Sequence, residues 1–134
     1  MSLIITLKPD EQFVINGTLI RNGGKSSKLY IETHCRILRE TEIIREEEVD
    51  TPCKQIWMTL QIIHLSPDPK DAYALFLSQV AEIPGLVPGS APFLAAITTA
   101  LDEGHTHRAL KEVKRLVQHE REILDHRAAT ADVA

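Results

Sequence analysis

At 134 residues the chain is long enough for one compact domain, or for two lobes sharing a core, and too short for more. With 43% hydrophobic and 25% charged residues it is not a disordered chain, and its few aromatics leave Leu, Ile and Val to build the core. A net charge of −4 excludes a uniformly basic coat, yet the charge is uneven: residues 1–45 hold seven Lys/Arg against five Asp/Glu (+2), and the remainder eight against fourteen (−6). Any RNA is therefore expected on the N-terminal part.

Taken in chain order, Leu3-Ile4-Ile5-Thr6-Leu7 reads as a strand, Lys8-Pro9-Asp10-Glu11 as a turn and Gln12-Phe13-Val14-Ile15 as a second strand, most simply joined as a hairpin. Asn16-Gly17 is a tight-turn dipeptide, followed by a strand Thr18-Leu19-Ile20-Arg21 and a loop beginning Asn22-Gly23-Gly24. Leu29-Tyr30-Ile31-Glu32-Thr33 and Cys35-Arg36-Ile37-Leu38-Arg39 complete an antiparallel, half-buried sheet region. Arg36 and Arg39 need not share a face.

Glu46-Glu47-Glu48 forms an acidic connection, and Thr51-Pro52 then supplies an N-cap and a first-turn proline, dividing a strand-rich lobe (1–50) from a helical lobe (51–134) that shares its core. Residues 53–65 admit a buried helix or a strand, of which the helix is preferred. Asp68-Pro69 repeats the start signal before Ala72, Leu75, Phe76, Val80 and Ile83, and Pro84-Gly85 is expected to stop that helix. A third helix spans 91–101 and ends by Gly104; a fourth carries Leu110, Val113, Leu116, Val117 and Leu124, with the Ala/Thr-rich end fraying. The fold class expected is α+β: N-terminal antiparallel strands followed by about four helices.

Several chemical motifs fail on inspection. Gly24-Lys25-Ser26 ends like a phosphate-binding loop, but Leu19 stands where the first glycine is required and no helix follows. His119-Glu120 begins like a zinc-protease motif, but Ile123 stands where the second histidine belongs. His105 and His107 read as exposed loop residues, and His34 and His64 as packed or hydrogen-bonded ones. Cys35 and Cys53 lack a second CxxC-type pair and read as reduced and structural. No metal, no cofactor and no enzyme activity are expected. Apolar runs at 56–65 and 91–101 fall short of the roughly 20 residues that span a bilayer, and no signal segment is visible, so a cytoplasmic protein with no membrane partner is expected.

The cations Lys8, Arg21, Lys25, Lys28, Arg36 and Arg39 sit in strands and hairpin loops, where they can face phosphates while backbone groups read unstacked bases. The plain alternative is a solvated surface with ordinary ion pairs.

The ordered set Leu7-Lys8-Pro9-x-Glu11-x-Phe13-x-Ile15-Asn16-Gly17, Ile20-x-Asn22-Gly23, Ile37-Leu38-Arg39-Glu40 and Thr51-Pro52 resembles the FlbT family of flagellar-biosynthesis regulators over about the first 65 residues. The resemblance implies a cytoplasmic post-transcriptional regulator that binds the 5′ untranslated region of flagellin mRNA, usually lowering translation or message lifetime, with some members instead promoting expression, and a connection with a FlaF-type regulator. Leu3-Ile4-Ile5-Thr6 and Leu38-Arg39-Glu40-x-x-Ile43 are also similar to the RNA-binding strands of the CsrA family. That resemblance implies RNA contact by Arg39 beside the strand containing Ile4 and Thr6, and a homodimer; Leu38 before the arginine and the helical half depart from it.

The RNA-binding residues expected on this basis are Arg39 first, then Lys8, Arg21 and Arg36 for phosphates, with Asn16 and Asn22 for base-edge or loop hydrogen bonds. The alternative is a protein-interaction adaptor in flagellum assembly, with a helical face around Leu75, Phe76, Leu94, Leu110 and Leu116 engaging a FlaF-type partner or flagellin.

Overall fold

The computed structural model describes residues 3–133, with side chains through residue 130. Among the described residues the order is β1 (Leu3–Leu7), β2 (Gln12–Ile15), β3 (Thr18–Arg21), β4 (Ser27–Ile31), β5 (Ile37–Arg39), then α1 (Pro52–Leu65), α2 (Lys70–Leu86), α3 (Ala91–Asp102) and α4 (Thr106–Val133), an α+β fold. The acidic connection contains short 3₁₀ turns at Glu40–Glu42 and Glu46–Glu48. The chain divides into a strand unit, Met1–Ile43 with Leu65–Pro67, and a helical unit, Ile44–His64 with Asp68–Ala134.

In the strand unit, Asn16 and Gly17 take φ values of 48° and 84° between the paired Ile15 and Thr18, the double left-handed turn that joins β2 to β3 tightly. The expected hairpin between β1 and β2 does not form. Instead β1 pairs with β4, from Leu3 opposite Ile31 to Leu7 opposite Ser27, while β2 lies between β3 and β5. The diverting segment is Asp10, at φ 63°, whose N–H donates to the Asn22 carbonyl at 2.7 Å while the Asn22 N–H donates to Glu11 O at 2.9 Å. These bonds carry the chain out of one sheet into the other. Ile5, Leu7 and Phe13 form the buried cluster, with Ile15, Leu29, Ile31 and Ile37 packed on it. Each fully buried side chain of this kind stabilises by about 1.5–3 kcal/mol. Strand alternation then sends Ile4, Thr6, Lys28 and Tyr30 to the other face of the β1–β4 sheet, and all four are exposed. β4 and β5 are shifted or shorter than expected: β4 starts at Ser27 and stops before Glu32, and Cys35 and Arg36 precede β5.

In the helical unit, Cys53, Ile56, Leu60 and Ile63 of α1 are all buried, a 3–4 spacing that favours helix over strand. Thr51 caps it: the Lys54 N–H donates to Thr51 Oγ1 at 3.3 Å. Helix α2 passes through Pro84 to Leu86 instead of stopping before it; the missing N–H falls in the final turn, where the Val87 N–H closes onto Ile83 O at 2.7 Å. Gly104, at φ 78°, ends α3: its N–H donates to Leu101 O at 3.0 Å and the His105 N–H to Ala100 O at 2.8 Å, the paired bonds of a Schellman cap. Helix α4 continues through the Ala/Thr-rich end, expected to fray, as far as Val133, and Ala134 lies outside the described residues.

Burial also corrects the adaptor face. Phe76, Leu94, Leu110 and Leu116 are core residues, and of the five only Leu75 is exposed. Leu124, expected on the apolar stripe of α4, is exposed as well. His64 is buried with its ring nitrogen 2.6 Å from Thr106 Oγ1, while His34 is exposed. No helix among the described residues is long and apolar enough to cross a membrane.

Candidate nucleic-acid interface

The cations of the strand unit fall into two sets according to what the backbone around them requires. The arginines are engaged. Arg39 Nη2 donates to Thr6 O at 2.7 Å and reaches both Glu11 carboxylate oxygens at 3.5 Å. Arg39 follows Leu38 on the short β5, opposite Phe13, so its side chain lies at the rim of the apolar cluster and runs along β1. Arg21 pairs with Asp10 at 3.3 Å on the surface, and Arg36 Nη1 donates to Ser66 O at 3.1 Å. The Glu11 carboxyl is held below its ordinary value of 4.5 chiefly by the Lys8 backbone N–H, with Arg39 adding to the effect and partial desolvation opposing it.

Both asparagines are loop clamps. Asn16 Oδ1 accepts the Arg36 N–H at 3.1 Å, fastening the β2–β3 turn to the approach to β5. Asn22 does more: its Nδ2 donates to Lys8 O at 3.1 Å and Lys25 O at 3.0 Å, and its Oδ1 accepts the Gly24 N–H at 3.2 Å. The side chain thus uses its donor and acceptor ends as the inventory of an amide allows.

Asn22 thereby draws the backbones of Lys8 and Lys25 to one place, the end of the β1–β4 sheet where Leu7 faces Ser27, and Lys28 stands one position in, opposite Thr6. Lys8, Lys25 and Lys28 are exposed and form no ion pair among the described residues, although the Lys8 charge also acts on Glu11. A concentrated, unneutralised cationic end is suited to phosphate oxygens. Of the six residues expected from sequence, Lys8 lies in this cluster and Asn22 builds it; Arg21, Arg36, Arg39 and Asn16 serve local contacts.

Sequence reasoning left Lys25 and Lys28 outside the six and missed Tyr30 altogether. The signal for Tyr30 was its phase: on a strand whose Leu29 and Ile31 face inward, the residue between them faces out. Elsewhere, no group of three or more His, Cys, Asp or Glu among the described residues is placed to hold a metal. Cys53 is buried and its thiol is pushed up by burial first and by the Glu120 carboxylate second, a state unsuited to nucleophilic chemistry.

The fold and this surface define a small α+β protein with an open cationic sheet end, held by clamps instead of a deep pocket. The chain belongs to the flagellar protein FlbT family, whose pattern matches residues 3–124. It is similar to "Probable flagellum biosynthesis repressor protein FlbT 1" of Bradyrhizobium diazoefficiens, with 31% identity over 97% of this chain and 90% of the relative. It is similar also to "Probable flagellum biosynthesis repressor protein FlbT" of Rhodopseudomonas palustris, with 31% identity over 92% of this chain and 98% of the relative. The "Flagellum biosynthesis repressor protein FlbT" of Caulobacter vibrioides is 29% identical over 94% of this chain and 92% of its own length. No solved structure matches.

Proposed function

We propose that this protein regulates flagellum biosynthesis after transcription, binding the 5′ untranslated region of flagellin mRNA and lowering its translation or stability. Family membership supplies the flagellar setting, and the names of the relatives supply the sign, repression. The observation that carries RNA as the ligand is the cluster of Lys8, Lys25 and Lys28, three cations without an ion-pair partner among the described residues of a chain whose net charge is −4. Occupancy near the ribosome-binding region blocks initiation or exposes the message to the cell's nucleases, so the protein itself makes and breaks no bond.

A cytoplasmic location follows from that role, and a FlaF-type regulator is the protein partner proposed. On the CsrA-like reading, Arg39, whose Nη2 donates to Thr6 O within one chain, is the arginine proposed to contact RNA beside β1. A homodimer, in that reading, extends the RNA surface without having to create this contact.

The test is binding of the purified full-length chain to a flagellin 5′ leader across a salt series. Affinity is expected to fall with salt, and replacing all three lysines by glutamine should reduce the log–log slope by about 2, since each single-strand phosphate contact contributes roughly 0.7. No salt-dependent binding, even with a FlaF-type partner present, sinks the RNA reading in favour of the adaptor.

A further inference from the structure

We infer that the outward face of the β1–β4 sheet is a base-stacking platform for single-stranded RNA, with Tyr30 as the stacking ring and Lys28 as its neighbouring phosphate contact. This rests on the RNA reading above and assigns it a surface and a strandedness.

Tyr30, the fourth of the five residues of β4, is 60% exposed, and its cross-strand partner Ile4 is 57% exposed. A strand tyrosine with a structural task normally buries its ring and satisfies its hydroxyl. Here the ring stands on an open two-stranded sheet, and its hydroxyl makes no hydrogen bond among the described residues. Lys28 lies two positions back on the same face, opposite Thr6. Beyond it is the end where Asn22 gathers Lys8 and Lys25. Ring and cations therefore stand side by side on one continuous surface, the two components that sequence-tolerant single-strand binders combine.

The chemistry favours RNA over a protein occupant. The apolar part of the face is little more than Tyr30 and Ile4, far less than the core of a stable protein interface. One unstacked base needs only one ring. The cations lie on one side of Tyr30 only, so the RNA backbone runs from Tyr30 toward Lys28, Lys8 and Lys25. A duplex cannot offer a base face to the ring, so the platform selects unpaired segments of the leader.

The experiment compares wild type, Tyr30→Ala and Tyr30→Phe for binding to the single-stranded flagellin leader segment and to the same segment annealed to its complement. Tyr30→Ala should weaken single-strand binding roughly 5- to 100-fold while leaving the salt slope unchanged, and Tyr30→Phe should stay within about 2-fold of wild type. Wild type should prefer the single strand. A protein carrying both Trp57→Phe and Tyr30→Trp, whose only tryptophan is then on the platform, should show fluorescence quenching on RNA addition. Wild-type binding that survives unchanged in Tyr30→Ala, or an unquenched signal from the platform tryptophan at saturation, overturns the platform and leaves the RNA reading standing. Absence of wild-type binding overturns both.

Discussion

In the helical unit Glu120 is only 5% exposed, and its carboxylate accepts the Thr51 hydroxyl and, at 3.2 Å, the Cys53 N–H. In the strand unit Lys8, Lys25 and Lys28 stand in solvent with no ion pair among the described residues. The two units treat charge in opposite ways because their cores differ. The helical unit buries large side chains such as Phe76, Ile56, Leu60, Leu110 and Leu116, and a charge inside it is tolerated only where a helix N-terminus satisfies it. The strand unit has a core cluster of Ile5, Leu7 and Phe13, so its long loops are tied by amide side chains and its lysines remain on the surface. The buried carboxylate of the first unit therefore holds structure, while Lys8, Lys25 and Lys28 of the second are left to act on a ligand.

The strongest way to break this comparison is to remove the buried carboxylate. Glu120→Ala leaves the Thr51 hydroxyl and the Cys53 N–H without their partner, and denaturant unfolding followed by Trp57 fluorescence is expected to show a loss of about 1–3 kcal/mol. A change within experimental error would mean that this carboxylate does not cap α1. Next in size is Asn22→Ala, with about 1 kcal/mol of local stability lost and faster amide exchange at Gly24 and along β1 and β4. If Asn22 also gathers the lysines, the same variant flattens the salt dependence of RNA binding; unchanged exchange and an unchanged slope together would show that the loop holds without its clamp.

The smallest expected effect concerns Glu11. Because its folded carboxyl lies below 4.5, it contributes stability that is fully present above pH 4.5 and is lost as the pH falls through the folded value. Wild type should therefore lose more stability than Glu11→Gln between pH 6 and pH 3, measured as paired unfolding midpoints. Parallel pH profiles for the two proteins would show that the ionised Glu11 carboxylate adds nothing to stability through its contacts with the Lys8 N–H and Arg39.

Much of the local structure was legible because local chemistry governs it. The first three strands fall where β-branched runs meet turn formers, and Asn16-Gly17 makes the tight turn its dipeptide announces. Thr51-Pro52 opens α1 and Gly104 closes α3, since caps depend on residues within one turn. The family was also legible, through spaced residues in the first half, and it extends through residue 124. The arginines were less legible: a cation's type and strand position do not show whether a carbonyl such as Thr6 O or Ser66 O already occupies it.

By itself, then, the sequence determined the α+β class, the succession of elements and the N-terminal placement of positive charge, all of which depend on composition or on neighbours within a few residues. Only the tertiary structure decided that β1 pairs with β4 and not β2, which of the six strand-unit cations remain uncommitted, and that Tyr30 and Lys28 share an open face. Those outcomes turn on contacts between residues far apart in the chain: Asn22 with Lys8, Arg39 with Thr6, Ile4 with Tyr30. Their pairing is selected by burial of the Ile5, Leu7 and Phe13 faces together, a free energy that no local propensity contains.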